Sequence, residues 1–219
     1  MAQQSAAEVI RIRPFPPAGR PRFGDGPPGG GDGGREAPII SNGRLAVLIL
    51  LAAEAMLFAG FIGSFLVYKL SVPFWPPPGL PRLPIQVTWI NTFVLLTSGV
   101  TMYLAVRAVR RNRLRAMRRW LGVTALLGTA FLAIQGGEWM RLVAHGLHLS
   151  SGTYGATFYT LIGLHGFHVL CAVLWLMGVF VAAMLGRFTV FRHSPVEICA
   201  IYWYFVCAVW PVLFFLVYF

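Results

Sequence analysis

Five stretches of this chain stay apolar for about twenty residues or more, and that limits the fold before any other feature does. An α-helix rising ~1.5 Å per residue needs about 20 apolar residues to cross a hydrocarbon layer about 30 Å thick. The runs cover roughly 44–69, 86–106, 118–140, 154–185 and 196–219. The expected architecture is all-α: a polytopic membrane protein built as a bundle of five transmembrane helices. The fourth run is too long for a perpendicular span and is expected to tilt or to carry a helical turn beyond the bilayer. Composition agrees, because 57% of the residues are hydrophobic and 11% charged, whereas soluble domains carry about 25% charged residues.

Residues 1–40 read differently. The segment "RPFPPAGRPRFGDGPPGGGDGGREAP" is rich in Pro and Gly and lacks an apolar pattern, so a disordered tail is expected there, with the membrane domain occupying 41–219. The tail has no apolar core of a secretory signal, and its Pro and Gly content argues against an amphipathic transit helix.

The formal charge of +11 would suit a nucleic-acid partner, but its distribution points to topology. The tail through Arg44 carries six arginines, the 107–119 segment "RAVRRNRLRAMRR" seven more, and Arg187 and Arg192 follow. Only Lys69, Arg82 and Arg141 fall on the opposite side. The positive-inside rule then places the N-terminus in the cytoplasm and the C-terminus outside, and no nucleic-acid partner is needed.

Three acids fall within spans: Glu54, Glu138 and Glu197. A carboxyl group deep in a bilayer costs a few kcal/mol or more and by default marks a function. Glu197 follows Ser194 and Pro195 in the first turn of a helix, where the helix dipole favours an acid. Glu138 can pair with Arg141 one turn on. Glu54, in "LILLAAEAMLFAGF", has neither explanation. With each span centred, it lies very roughly 10 Å from the cytoplasmic edge. It can reach His168, near the middle, only if the first and fourth helices pack directly.

His165 and His168 share one helical face with Phe158, Leu161 and Ala172. Two neighbours on one helix cannot be opposite axial ligands of one haem iron, and copper or zinc would want further ligands. The other histidines, His145, His148 and His193, do not belong at that depth. Hydrogen-bonded packing histidines are expected, with no metal and no cofactor in this chain. Cys171, Cys199 and Cys207 lack metal or redox spacing and are expected to be buried, structural thiols.

On the first helix, Ala52, Ala55, Ala59 and Gly63 form a small-residue stripe of the kind that lets helices approach closely. Glu54 falls nearly opposite, among Leu50, Leu57, Phe58, Phe61 and Phe65. The stripe is therefore the expected intrachain contact, and Glu54 is expected to face a partner subunit or lipid.

From residue 41 onward the sequence resembles subunit III of the haem-copper terminal oxidases. "LAAEAMLFAGFIGSFLVY" resembles the family helix with a buried glutamate, here Glu54. "WINTFVLLTSGVTM" matches the next helix at Asn91, Thr92, Ser98 and Gly99. "GGEWMRL" matches at Glu138 and Trp139. "SSGTYGATFYTLIGLHGFHVL" is the most specific piece, matching at Tyr154, Gly155, Phe158, Gly163, His165, Gly166 and His168. "EICAIYWYFVCAVWPVLFFLVYF" resembles the last helix through Glu197, Tyr202, Trp203, Phe205, Val206 and Trp210. The family commonly has His and Asp where this chain has Tyr204 and Cys207, and its longest members have two further helices before the glutamate helix.

The resemblance implies an accessory subunit without its own redox centre, in a bacterial plasma-membrane oxidase that reduces O2 to water and moves protons. Its implied partners are catalytic subunit I, which carries haem and copper, subunit II, and phospholipid; a larger respiratory supercomplex is a further possibility. It also implies a supporting role for Glu54 and lipid-headgroup contacts for Arg187, Arg192 and His193. Two alternatives stand beside it: an accessory protein of nitric oxide reductases, and a proton-coupled transporter using Glu54, Glu138 and the histidines as a relay. The transporter reading lacks the internal repeat and paired broken helices that such folds carry. A third, an independent metalloenzyme, would require metal in the chain itself.

Overall fold

A computed structural model describes residues 41–73, 85–146, 152–188 and 194–218. The expected tail at 1–40 lies outside the described residues. Among the described residues five helices form: α1 (Asn42–Ser71), α2 (Ile85–Arg110), α3 (Leu114–Ala144), α4 (Gly152–Met184) and α5 (Ser194–Tyr218). All five are long and apolar enough to cross a membrane. α4 has the expected excess length, with 33 residues or about 50 Å. α3 has 31 residues and begins within the arginine-rich segment, whose long side chains can carry their charge back to water from a helical backbone.

That segment is therefore a tight hairpin rather than a loop. Asn112 takes a left-handed conformation at φ 57°. Its N–H bonds to the Val109 carbonyl at 3.0 Å, and the Arg113 N–H bonds to the Ala108 carbonyl at 2.9 Å. This pair of hydrogen bonds is the Schellman arrangement, which satisfies the last carbonyls of a helix and reverses the chain at once. α4 ends the same way at Gly186 (φ 73°), with Gly186 N–H to Ala183 and Arg187 N–H to Ala182, both at 3.1 Å.

The α2–α3 hairpin closes a ring with α4 and α5: α3 packs on α4, α4 on α5, and α5 on α2. Among the described residues α1 touches only α4 and α5, from outside the ring. Trp203, Trp210, Phe131, Phe158 and Phe214 fill the interior. Lipid tails are as apolar as these side chains, so close packing and interhelical hydrogen bonds hold such a bundle rather than expulsion from water. Gly128 shows how close the packing is, since a Cβ there would stand 2.4 Å from Trp203 Cη2.

Polar residues of α2 tie the ring together. Trp210 donates its indole N–H to Thr92 Oγ1 at 2.9 Å, and Trp203 donates to Ser98 Oγ at 3.2 Å. Asn91 Nδ2 reaches the Phe131 carbonyl and Gln135 Oε1, each at 3.2 Å, and the Thr101 and Thr124 hydroxyls meet at 2.8 Å. The Asn-Thr and Ser positions of "WINTFVLLTSGVTM" are thus contacts of α2 with α3 and α5. Cys199 and Cys207 are buried, as expected, but Cys171 is exposed. A helix apolar all round does not reveal which thiol faces protein and which faces lipid.

Candidate functional site

Glu54 is the acid that sequence alone leaves unexplained, and the structure reverses the expected orientation of its helix. Ala52, Ala55 and Ala59 are exposed, and a Cβ placed on Gly63 would meet nothing within 4 Å. The inward face carries Phe58 and Phe65, both buried, together with Glu54. Large side chains, not small ones, fill the seam between α1 and the α4–α5 pair. Every candidate face of α1 is apolar, so phase without a neighbour's shape cannot select between them.

Direct packing of α1 on α4 brings Glu54 to His168. The carboxylate Oε1 lies 3.7 Å from His168 Nε2, and the Tyr202 hydroxyl of α5 donates to the same oxygen at 3.4 Å. His168 Nδ1 sits 2.7 Å from the Leu164 carbonyl, one turn back on α4. A carbonyl can only accept, so that bond places a proton on Nδ1 and turns Nε2 toward the acid. Phe58 covers the imidazole with ring centroids 5.2 Å apart. Glu54 Oε2 is buried and has no hydrogen-bond partner among the described residues. One acid, one imidazole and one phenol from three helices thus meet in an apolar seam, where a proton can rest on the carboxyl or on Nε2.

His165 does not join this cluster. It is 1% exposed and lies flat on Trp210, with centroids 5.1 Å apart and planes 26° apart. Neither ring nitrogen has a hydrogen-bond partner among the described residues. The expectation of two hydrogen-bonded packing histidines is corrected for this residue, because aromatic stacking takes the place of a polar partner. His165 also lines a crevice of about 360 Å³ between α3 and α4, beside Phe131, Gln135, Trp139 and Gly166.

The other acids lie at the two ends of the bundle. Arg141 Nη1 donates to Glu138 Oε1 at 2.7 Å, the pair their spacing implies. Glu197 pairs with Arg44 of α1 and accepts from Arg110 Nε of α2 at 2.7 Å. It is thereby more than a first-turn acid on its own helix. No spacing in the sequence pairs Tyr202, Arg44 or Arg110 with these acids; for the two arginines the signal available is a single acid set among fifteen basic residues at one end. Arg187 is exposed just beyond α4. Arg192 and His193 lie outside the described residues.

Among the described residues no three His, Cys, Asp or Glu side chains converge as a metal cluster would require. At the altered family positions, Cys207 Sγ lies 3.9 Å from Ser98 Oγ and 3.7 Å from the Leu95 carbonyl. A small thiol there completes the α2–α5 contact in place of a carboxylate. Tyr204 is half-buried nearby on α5.

Comparison with known proteins bears directly on this arrangement. Residues 31–219 match the family model described as cytochrome c oxidase subunit III. A cytochrome c oxidase subunit 3 from Synechocystis is 35% identical over 173 residues, covering 78% of this chain and 73% of that protein. One from Thermostichus vulcanus is 31% identical over 175 residues, covering 80% and 85%. The human protein of the same name is 33% identical over 192 residues, covering 84% and 72%. With five membrane-spanning helices, the motif positions in order and these relatives, the chain belongs to the cytochrome c oxidase subunit III family.

Proposed function

We propose that this chain is a non-redox accessory subunit of a respiratory haem-copper oxidase, assembled with a catalytic subunit I and a subunit II that carry the haem and copper. It supports assembly, holds phospholipid, and sustains proton uptake by the catalytic subunit while O2 is reduced to water. Family membership supports the place in an oxidase. The meeting of Glu54 with His168 and Tyr202 supports the protonic part.

The chemistry of that cluster is simple. Tyr202 donates to Glu54 Oε1 and so holds the carboxyl in place. His168, held through Nδ1 by the Leu164 carbonyl, offers Nε2 as the acceptor for a proton from the acid. An amide at position 54 would preserve size and hydrogen bonding but could not release a proton. Charge distribution supports the N-terminus on the cytoplasmic side of a bacterial plasma membrane: Arg44, Arg107–Arg119 and Arg187 gather at one end of the described helices, Lys69 and Arg141 at the other.

The test is Glu54→Gln in the purified complex, with oxygen consumption followed through prolonged turnover. The expected outcome is an assembled oxidase whose activity decays faster than that of the parent. Unchanged assembly, activity and turnover lifetime would reject the role of Glu54. Purification of the tagged chain without any haem-bearing partner would reject the oxidase reading itself.

A further inference from the structure

Arg113, Arg115, Arg118 and Arg119 stand at the α2–α3 turn and the first turns of α3. No carboxylate among the described residues pairs with them. The three described acids are engaged elsewhere: Glu197 with Arg44 and Arg110, Glu138 with Arg141, and Glu54 with Tyr202 beside His168. The counter-charge for this cluster must come from outside the described bundle.

The arginines border grooves. Arg115 and Arg119, one helical turn apart, form a ridge. On one side is a groove of about 890 Å³ walled by Trp120 and Val123. On the other is a groove of about 390 Å³ between α3 and α4, lined by Gly122, Phe180 and Met184 beneath Arg115, Arg118 and Arg119. Arg118 leans across the head of this second groove toward α4. Its Nη2 lies 3.8 Å from where a Cβ on Gly186 would stand, and its Nε is buried without a hydrogen-bond partner. Gly122 gives Phe180 its place against α3, since a Cβ there would come within 3.2 Å of Phe180 Cε2.

Resting on the phospholipid-holding role proposed above, we propose that the α3–α4 groove binds one anionic phospholipid, with its phosphate oxygens on Arg115, Arg118 and Arg119 and an acyl chain along Gly122, Phe180 and Met184. Guanidinium groups present paired donors in a planar fork that matches phosphate oxygens. The N-terminus of α3 directs its positive dipole end toward the same place. The acyl chain leaves one apolar medium for another, so discrimination rests on the headgroup charge. Topogenic arginines need only be on the correct side of the membrane. That requirement explains neither the inward lean of Arg118 nor an apolar groove running down from the guanidinium groups. The site lies on the α3 side of α4, away from the α1 seam that holds Glu54, and it does not use Arg187, Arg192 or His193.

The protein, purified in its native complex, is exchanged into nanodiscs of phosphatidylglycerol or of phosphatidylcholine, extracted, and scored for retained lipid by native mass spectrometry. Three forms are compared: the parent, R115Q/R119Q, and Met184→Trp. Met184 is 57% exposed, so a larger ring is tolerated there, and it fills the groove while leaving every arginine and the topology intact. The expected result is one phosphatidylglycerol per chain retained by the parent and lost from both variants. Phosphatidylcholine should not be retained, and inorganic phosphate should not displace the bound lipid. Equal retention in the parent and Met184→Trp, equal retention of phosphatidylcholine, or displacement by inorganic phosphate alone would each overturn the proposal. If R115Q/R119Q fails to assemble, Met184→Trp decides.

Discussion

Arg110 of α2 donates its Nε–H to Glu197 Oε1 of α5 at 2.7 Å, and the other carboxylate oxygen of Glu197 takes Arg44 of α1. One acid, itself 5% exposed, therefore joins three helices at one end of the bundle. Removing one member of a fully buried ion pair costs about 3–5 kcal/mol. Arg44 and Arg110 are 41% and 61% exposed, so water screens part of the interaction, and Glu197→Gln should cost about 1–3 kcal/mol. Arg110→Gln should cost less, because Arg44 remains. Denaturant titration in detergent compares the two variants, and equal or reversed losses would contradict the three-helix junction.

Gly128 and Gly136 lie on the same helix and should respond oppositely to a methyl group. At Gly128 the added Cβ would stand 2.4 Å from Trp203 Cη2 and 3.1 Å from Val173 Cγ2. Trp203 is fully buried and cannot withdraw. Gly128→Ala should cost about 1–3 kcal/mol through overpacking. At Gly136 nothing lies within 4 Å, and Ala there should be neutral or stabilising by about 0.5–1 kcal/mol, the ordinary gain over Gly in a helix. Thermal unfolding of the two variants side by side reads the difference.

The number and position of the helices were legible because hydrocarbon thickness sets a length that apolar runs must meet. The orientation of α1 was not. In water, burial selects one face; in lipid the small-residue face of Ala52, Ala55 and Ala59 and the bulky face of Phe58 and Phe65 are equally acceptable outside. Which one turns inward depends on the shapes of α4 and α5, and those shapes are not a property of the α1 sequence. The pair Glu138 and Arg141 could be read from spacing because both residues share a helix. Glu54 with Tyr202, and Glu197 with Arg44, are 148 and 153 residues apart, and only the docking of α1 on α5 brings them together.

Tyr202 contributes a long hydrogen bond and a well-packed ring, and two substitutions separate them. Interhelical hydrogen bonds in membranes average about 0.6 kcal/mol, and at 3.4 Å to Glu54 Oε1 this one lies at the weak end. Tyr202→Phe should therefore cost well under about 1 kcal/mol and leave assembly intact. Tyr202→Ala also removes a ring that packs 5.7 Å from Trp175, and should cost about 3–5 kcal/mol as a large-to-small change in a packed seam. Equal costs would place the stabilising contribution in the hydroxyl instead of the ring. If Tyr202→Phe shortened turnover lifetime as Glu54→Gln is expected to, while leaving stability unchanged, the hydroxyl would share the protonic role of the acid.

The three cysteines should differ in access rather than in chemistry. Cys171 lies on an exposed face of α4 with Phe167, Leu170 and Leu174, whereas Cys199 is 2% and Cys207 6% exposed. A membrane-soluble maleimide applied to native membranes can reach a thiol that faces lipid but not one enclosed by helices. The expected product in the chain freed of partners carries one label, mapped by peptide mass spectrometry to Cys171, with Cys199 and Cys207 reacting only after denaturation. Labelling of Cys207 before Cys171 would mean that the α2–α5 contact around Ser98 opens in the native state. Protection of Cys171 in the assembled complex, with recovery once partner chains are removed, would locate a subunit interface on this face of α4.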